Sequence, residues 1–330
     1  MRCFVPLMLC VSLLTGAEPH MDLQRASMLG FDLDASTAAE MEQRLAAAPE
    51  DLPLRATLLG YYLGHGRGQP AHRRAHILWL IRNHPEEPFA STPECGILSS
   101  FDPQGYAEGR EAWAAALIAR PEGNVHVRIG MARFLMFDDR PRAVSLLRDG
   151  LKTAPKDQDL QEALVSLLRL NETPEDLEEV YQLETALLDH GTEKDHYHRL
   201  GRVAEAAWRA QHPDQARQMA LQWIETCQKE LSWNTGNAIH DGHQLLGLVA
   251  LDQGNLVTAV AELAAAGTTT GSPQLNSFGP DFRLARALLE RGRRTEVAAY
   301  LRQVGTFWNK PQVDAWIAEL ERGGKPNLKR

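Results

Sequence analysis

From Thr37 onward, apolar side chains recur at spacings of three and four, the signature of helices with one buried flank, and strand-like alternation is nearly absent. Thr37 and Glu40 stand at capping-box spacing and predict a helix running through Leu45 to Ala48. Leu54, Leu58, Leu59, Tyr61, Tyr62 and Leu63 predict a second helix, stopped by Gly64, Gly66 and Gly68. A third is expected from Pro70 to Asn83, with its apolar part between His76 and Ile81. The stretch 85–104 then carries Pro85, Pro88, Pro93 and Pro103, and reads as either a long functional loop or a joint between two helical blocks.

Beyond this stretch, small and bulky positions return periodically. Asn124 to Asp157 is a 34-residue unit with Val127, Phe134, Ala143, Leu147, Gly150 and Pro155 at its marked positions. Similar units start near Tyr197 (Leu200, Val203, Ala204, Ala216), at His240 (Leu246, Gly247, Ala250, Gly254, Asn255, Ala259, Leu263, Ala266) and near Phe278 (Leu284, Ala285, Leu288, Gly292, Val297, Leu301). Ala204, Gly247 and Ala285 share one register position, where a small side chain lets the first helix of a pair approach its neighbour. Ala143, Ala216 and Ala259 play the same part on the second helix. Gly254 and Gly292 fall where the chain must double back and a positive φ is needed. No single unit can bury its own apolar flank, so successive units are expected to stack.

On these residues the chain resembles the tetratricopeptide repeat (TPR) superfamily over about residues 124–308. The stretches Leu245 to Leu251, Gly254-Asn255 and Ser272 to Pro280 are similar to exported bacterial TPR-like proteins. The segment Arg73 to His84, with His76 and Trp79, is similar to their N-terminal part. The resemblance implies an all-α fold, an antiparallel helical-hairpin, TPR-like right-handed solenoid, and a scaffold's role without a particular activity. Residues 158–191 fit the repeat by period only.

The N-terminus changes the picture of where the protein works. Arg2, the apolar run Cys3 to Leu14 and the small residues Thr15, Gly16 and Ala17 have the three-part organisation of a secretory signal, with cleavage before Glu18. The expected organisation is a signal peptide at 1–17, a flexible segment at 18–36 and a helical block at 37–104 that includes the loop 85–104. A solenoid with a capping helix follows at 105–322, and a disordered tail at 323–330. The protein is then expected outside the cytoplasm, periplasmic or extracellular. Cys3 and Cys10 would leave with the signal, and Cys95 and Cys227 are expected as separate, partly buried thiols. A net charge of −8 argues against nucleic acid as a partner, and no later run is apolar and long enough for membrane insertion.

Candidate chemistry is sparse. His240 and His243 lie three apart on one helix and supply two possible metal ligands, one or two short of a zinc set. Asn237, His240 and Asp241 should share a rim with Gln274, Asn276 and Ser277. Amides and hydroxyls there could hold a carboxylate or peptide terminus near free helix N–H groups, or could simply bond to one another. A concave face should present Asp241, Gln244, Leu248, Leu251 and Asp252, with His198, Glu205, Trp208 and Arg209 from the preceding unit. The acids Glu175, Asp176, Glu178 and Glu179 open a helix and read as a solvated face. No phosphate loop, nucleophile elbow or cofactor motif is present. The expectation is a non-catalytic scaffold for a protein or peptide partner, needing no cofactor. The alternatives are a metal-binding protein or hydrolase at the His240 and His243 rim, and a structural module of an envelope assembly.

Overall fold

The computed structural model describes residues 19–65, 70–120, 124–191 and 193–329; the expected signal at 1–17 lies outside them. All regular structure among these residues is helical. The chain divides into two compact units, the first ending at Leu167 and the second beginning at Leu168.

The first unit holds α1 (Pro19–Gly30), α2 (Ala35–Ala47), α3 (Leu52–His65), α4 (Pro70–Asn83), α5 (Pro103–Ala119), α6 (Val125–Leu135), α7 (Arg140–Thr153) and nearly all of α8 (Gln158–Leu168). The segment 18–36, expected to be flexible, instead carries α1, which packs along α3. The reason is a crossing of small residues. Gly60 on α3 meets the Ser27 backbone, Gly30 meets Thr57 and Gly60, and Ser27 is fully buried. Asp34 caps α2 by accepting from the Thr37 backbone N–H at 2.8 Å, so the cap sits three residues ahead of the expected Thr37. This bond holds the Asp34 carboxyl down at about 2.

The loop 85–104 is neither loose nor a joint. It folds into two 3₁₀ turns, Pro88–Ser91 and Pro93–Cys95, with Phe89, Ala90, Cys95 and Ile97 buried. Arg73 donates to the Glu94 and Gly96 carbonyls at 2.7 and 2.8 Å, tying the loop to α4. α5 packs on both α4 and α6, so the compact unit continues to residue 167 rather than ending near 104.

The second unit holds α9 (Pro174–His190), α10 (Glu193–Arg209), α11 (Pro213–Lys229), α12 (Thr235–Asp252), α13 (Leu256–Ala266), α14 (Pro273–Phe278), α15 (Arg283–Glu290), α16 (Arg294–Val304) and α17 (Lys310–Glu321). Each of α9 to α12 packs against its successor, and α12 also meets α10 and α15. Gly254 (φ 75°) and Gly292 (φ 76°) occupy the turns after α12 and α15, as the sequence requires. Ala204, Ala216, Ala259 and Ala285 are all fully buried. Phe282, Trp308 and Trp316 close the core at the far end, with Phe282 and Trp316 edge to face at 5.3 Å. Of the tail 323–330, expected to be disordered, the described residues 323–329 pack down: Leu328 is fully buried and its carbonyl accepts from Arg286 at 2.8 Å. Cys95 and Cys227 are buried free thiols, one in each unit. Burial pushes the Cys95 thiol up to about 12.

A methyl group at Gly60 would overlap the Ser27 carbonyl, which is backbone and cannot rotate away. Gly60→Ala should therefore destabilise the chain by about 2 kcal/mol despite alanine's better helix propensity. Chemical denaturation followed by circular dichroism measures it; an unchanged or raised midpoint would show that α1 is not seated on α3.

Candidate functional site

The second unit contains a cleft of about 480 Å³ between α10, α11, α12 and the segment 274–283. Its floor is apolar: Trp223, Leu245 and Leu275 are buried, and Gly201 leaves room for the Trp223 ring against α10. Glu205, Asn237, Asp241, Asp281 and Arg283 form the walls, and Gln274 and Phe278 the lip. Phe278 is 72% exposed.

One asparagine positions the lip. Asn237 is buried in the first turn of α12, where its side-chain Oδ1 accepts from the Ser272 hydroxyl at 2.5 Å. Its amide nitrogen donates to Asn234 Oδ1 and to Gln274 Oε1, each at 2.5 Å. Ser272 in turn accepts from the Leu275 N–H at 3.0 Å and caps α14. These bonds fix the orientation of the Gln274 amide: its oxygen is taken up by Asn237, which leaves Nε2 as a donor at the cleft. The close approach also needs Gly236, since any side chain there would strike the Gly271 carbonyl.

The opposite wall is ionic. Arg283 donates to both Glu205 oxygens at 2.7 and 3.0 Å and to Asp281 Oδ2 at 2.5 Å. Burial alone would depress its pKa, but the hydrogen bonds and charges of Glu205 and Asp281 outweigh that and raise it. The guanidinium also lies 5.2 Å from the Trp208 ring, whose N–H donates to Asp252 at 2.7 Å.

The rim expected from sequence is assembled in part. Asn237 and Gln274 meet, and Asp241 lines the same cleft one helical turn further on. Asn276 turns away into its own loop, where its Oδ1 accepts from the Ser272 N–H at 3.2 Å, and Ser277 is exposed but does not line the cleft. The amides mainly satisfy one another and the walls carry three carboxylates, so a carboxylate ligand is disfavoured here. Gln244 is buried, with Oε1 accepting from the Leu284 N–H, and Leu248 and Leu251 pack in the core rather than on a concave surface. Arg209 is engaged with Glu172. His198 stands 5.8 Å from the exposed Trp233 ring.

His240 and His243 do not converge on a metal. His240 is fully buried, with Nδ1 at 2.7 Å from Asp241 Oδ1 and Nε2 at 2.8 Å from the Tyr300 hydroxyl. The Tyr300 hydroxyl in turn donates to the Asp281 backbone carbonyl at 3.4 Å, so His240 bridges the Asp241 carboxylate and the core around Tyr300. His243 pairs instead with Glu262 on α13 at 2.7 Å. Among the described residues no three His, Cys, Asp or Glu side chains are grouped to hold a metal ion. Arg283, Asp281, Trp223, Phe278 and Tyr300 were not singled out as site residues from sequence. The Asp281-Phe282-Arg283 run after a glycine-proline turn is the one local signal that could have drawn attention to them.

A second polar cluster, also unforeseen, lies in the first unit. Arg55 is buried, stacks 3.5 Å over Trp79 and stands 3.1 Å from His76 Nδ1. A guanidinium has only donors, so Nδ1 must accept and Nε2–H must donate to Glu42 at 2.9 Å. Tyr62 donates to the same Glu42 oxygen at 2.6 Å, and His72 stands 3.9 Å from it. These groups bond to one another across α2, α3 and α4, and they read as a structural network.

No family model matches the chain, and no curated protein matches it either.

Burial, joined by the Arg55 charge, holds His76 below its usual 6.5, against the opposing bond from Glu42. The unfolded chain takes up this proton first, so the network stabilises the fold above about pH 6.5 and loses its effect as acid is added. Glu42, held below 4.5 through Tyr62 and His76 despite its own desolvation, adds a loss only further down. The melting temperature should fall between pH 7.5 and 5.5, and His76→Gln should fall less over that interval. Equal losses in calorimetry would rule out His76 as the group responsible.

Proposed function

We propose that this chain is an exported, non-catalytic, TPR-like solenoid scaffold that holds a segment of a partner protein in the cleft of its second unit. The repeat assignment is supported by helix pairs at the expected positions and by fully buried alanines at the two recurring small positions. Gly247 adds to this, since a side chain there would overlap Leu284 of the next pair. Export is supported by the three-part N-terminal pattern.

One observation carries the binding role: an apolar floor is framed by oriented polar groups and lipped by a phenylalanine that the fold leaves 72% exposed. A large ring held in water beside a concave surface favours burial by a partner. The oriented donor at Gln274 and the acceptor at Asp241 match the needs of a main-chain amide and flanking side chain. His240 lies sealed beneath Asp241, which suits support of a binding wall rather than contact with a reacting group.

Fusing residues 1–17 to a phosphatase that is active only after export should give activity in a bacterial host; inactive fusions would remove the exported assignment. Peptides selected by display on the intact chain should bind Phe278→Ser at least about tenfold more weakly, about 1.4 kcal/mol. The circular dichroism spectrum should stay unchanged. Equal binding by that variant, or no enrichment in the selection, would refute the cleft as a peptide site.

A further inference from the structure

We infer that the cleft selects a peptide segment bearing a basic side chain, lysine or arginine, with its cationic head against Asp241 and its main chain on the Gln274 donor. This rests on the peptide-binding reading and specifies its ligand.

Charge is the first observation. The cleft is lined by three carboxylates, Glu205, Asp241 and Asp281, and by one guanidinium. Arg283 is engaged with Glu205 and Asp281, which together outweigh its charge. Asp241 receives a hydrogen bond from His240 on Oδ1 only, and its side chain is 42% exposed. A carboxylate in a partly enclosed, apolar-floored cleft attracts a cation more strongly than one on open surface.

A second, independent observation asks for an acceptor on the same ligand. Trp223 forms part of the floor and is only 9% exposed, yet its indole N–H has no partner. Buried donors are seldom left without an acceptor. Gln274 offers a second donor from Nε2, because its Oε1 is occupied by Asn237. A free cation such as ammonium would meet the acid and leave both donors unmet. A peptide carrying a basic residue meets the acid and the Gln274 donor, brings main-chain acceptors to the side that Trp223 lines, and has an aliphatic stem that suits the Leu245 and Leu275 floor.

The chain already makes this kind of contact within itself. Arg283 is gripped by paired carboxylates beside the Trp208 ring, a geometry suited to a guanidinium. Asp241 stands on the neighbouring wall without a guanidinium of its own.

The test is fluorescence anisotropy with labelled, acetylated and amidated pentapeptides that have leucines flanking a central arginine, citrulline or glutamate. Binding is measured at an ionic strength of about 0.15 M, where charge effects beyond contact range are screened. The arginine peptide should bind, and citrulline or glutamate should weaken binding about tenfold or more. Asp241→Asn keeps the acceptor for His240 and should lose the preference for arginine, whereas Glu175→Gln on the acidic face of α9 should keep it. If arginine and citrulline peptides bind equally and both are weakened by Phe278→Ser, the cleft binds peptides but the charge preference is wrong. If Asp241→Asn and Glu175→Gln behave alike, the attraction is that of the whole chain and the assignment to this cleft fails. If no peptide binds more tightly than about 1 mM, the inference and the reading beneath it both fall.

Discussion

Close approach of backbones is the constraint on which the rest of this molecule depends. Helices with one apolar flank can bury it only against a neighbour, and the distance at which they do so is set by the side chains in between. Here those side chains are repeatedly absent or minimal. Gly60 lies against Ser27, Gly247 against Leu284 and Gly236 against the Gly271 carbonyl. The alanines at the recurring small positions are likewise sealed from solvent. Each crossing passes on its geometry. Gly236 brings the segment after α13 down onto α12, which lets Asn237 reach Ser272 and Gln274, and these place the lip of the cleft.

Polar groups do a different job in the two units. In the first, Arg55, His76, Glu42 and Tyr62 consume one another's hydrogen bonds and fix how α2, α3 and α4 meet. In the second, bonding is nearly complete around Asn237 but stops short at Asp241, Gln274 and the Trp223 N–H, which share one concavity. The contrast sets the cleft apart from an ordinary buried network. Polar capacity remains there beside an apolar floor and an exposed ring.

Local signals were readable from sequence. The bounds Pro70–Asn83 of α4 were legible because proline opens the helix and prolines follow its end. The turns at Gly254 and Gly292 were legible because only glycine takes that φ without strain. Long-range pairing was not. α1 leaves Met28 and Leu29 exposed, and what seats it is a glycine on α3 some thirty positions away. The loop 85–104 looked irregular because its order comes from Arg73 bonding to carbonyls, which leave no mark on residue type. The expectation that neighbouring helix N-termini lie side by side set Asn237, His240 and Asp241 facing Gln274, Asn276 and Ser277; Asn237 and Gln274 meet, whereas Asn276 bonds within its own loop. Arg283 and Glu205, 78 positions apart, gave no local hint of their union.

That union reaches past the nearest neighbour. α12 lies between α10 and α15 in the chain and packs against both, yet Glu205 of α10 and Arg283 of α15 are joined directly. Arrays held only by adjacent contacts can unzip from an end, one element at a time, because each loss leaves the others intact. A tie that skips an element couples three of them, so fraying of α15 must break an ion pair on α10 as well. The pair therefore links the loss of α15 to a cost on α10, a coupling that contacts between adjacent helices alone would not supply.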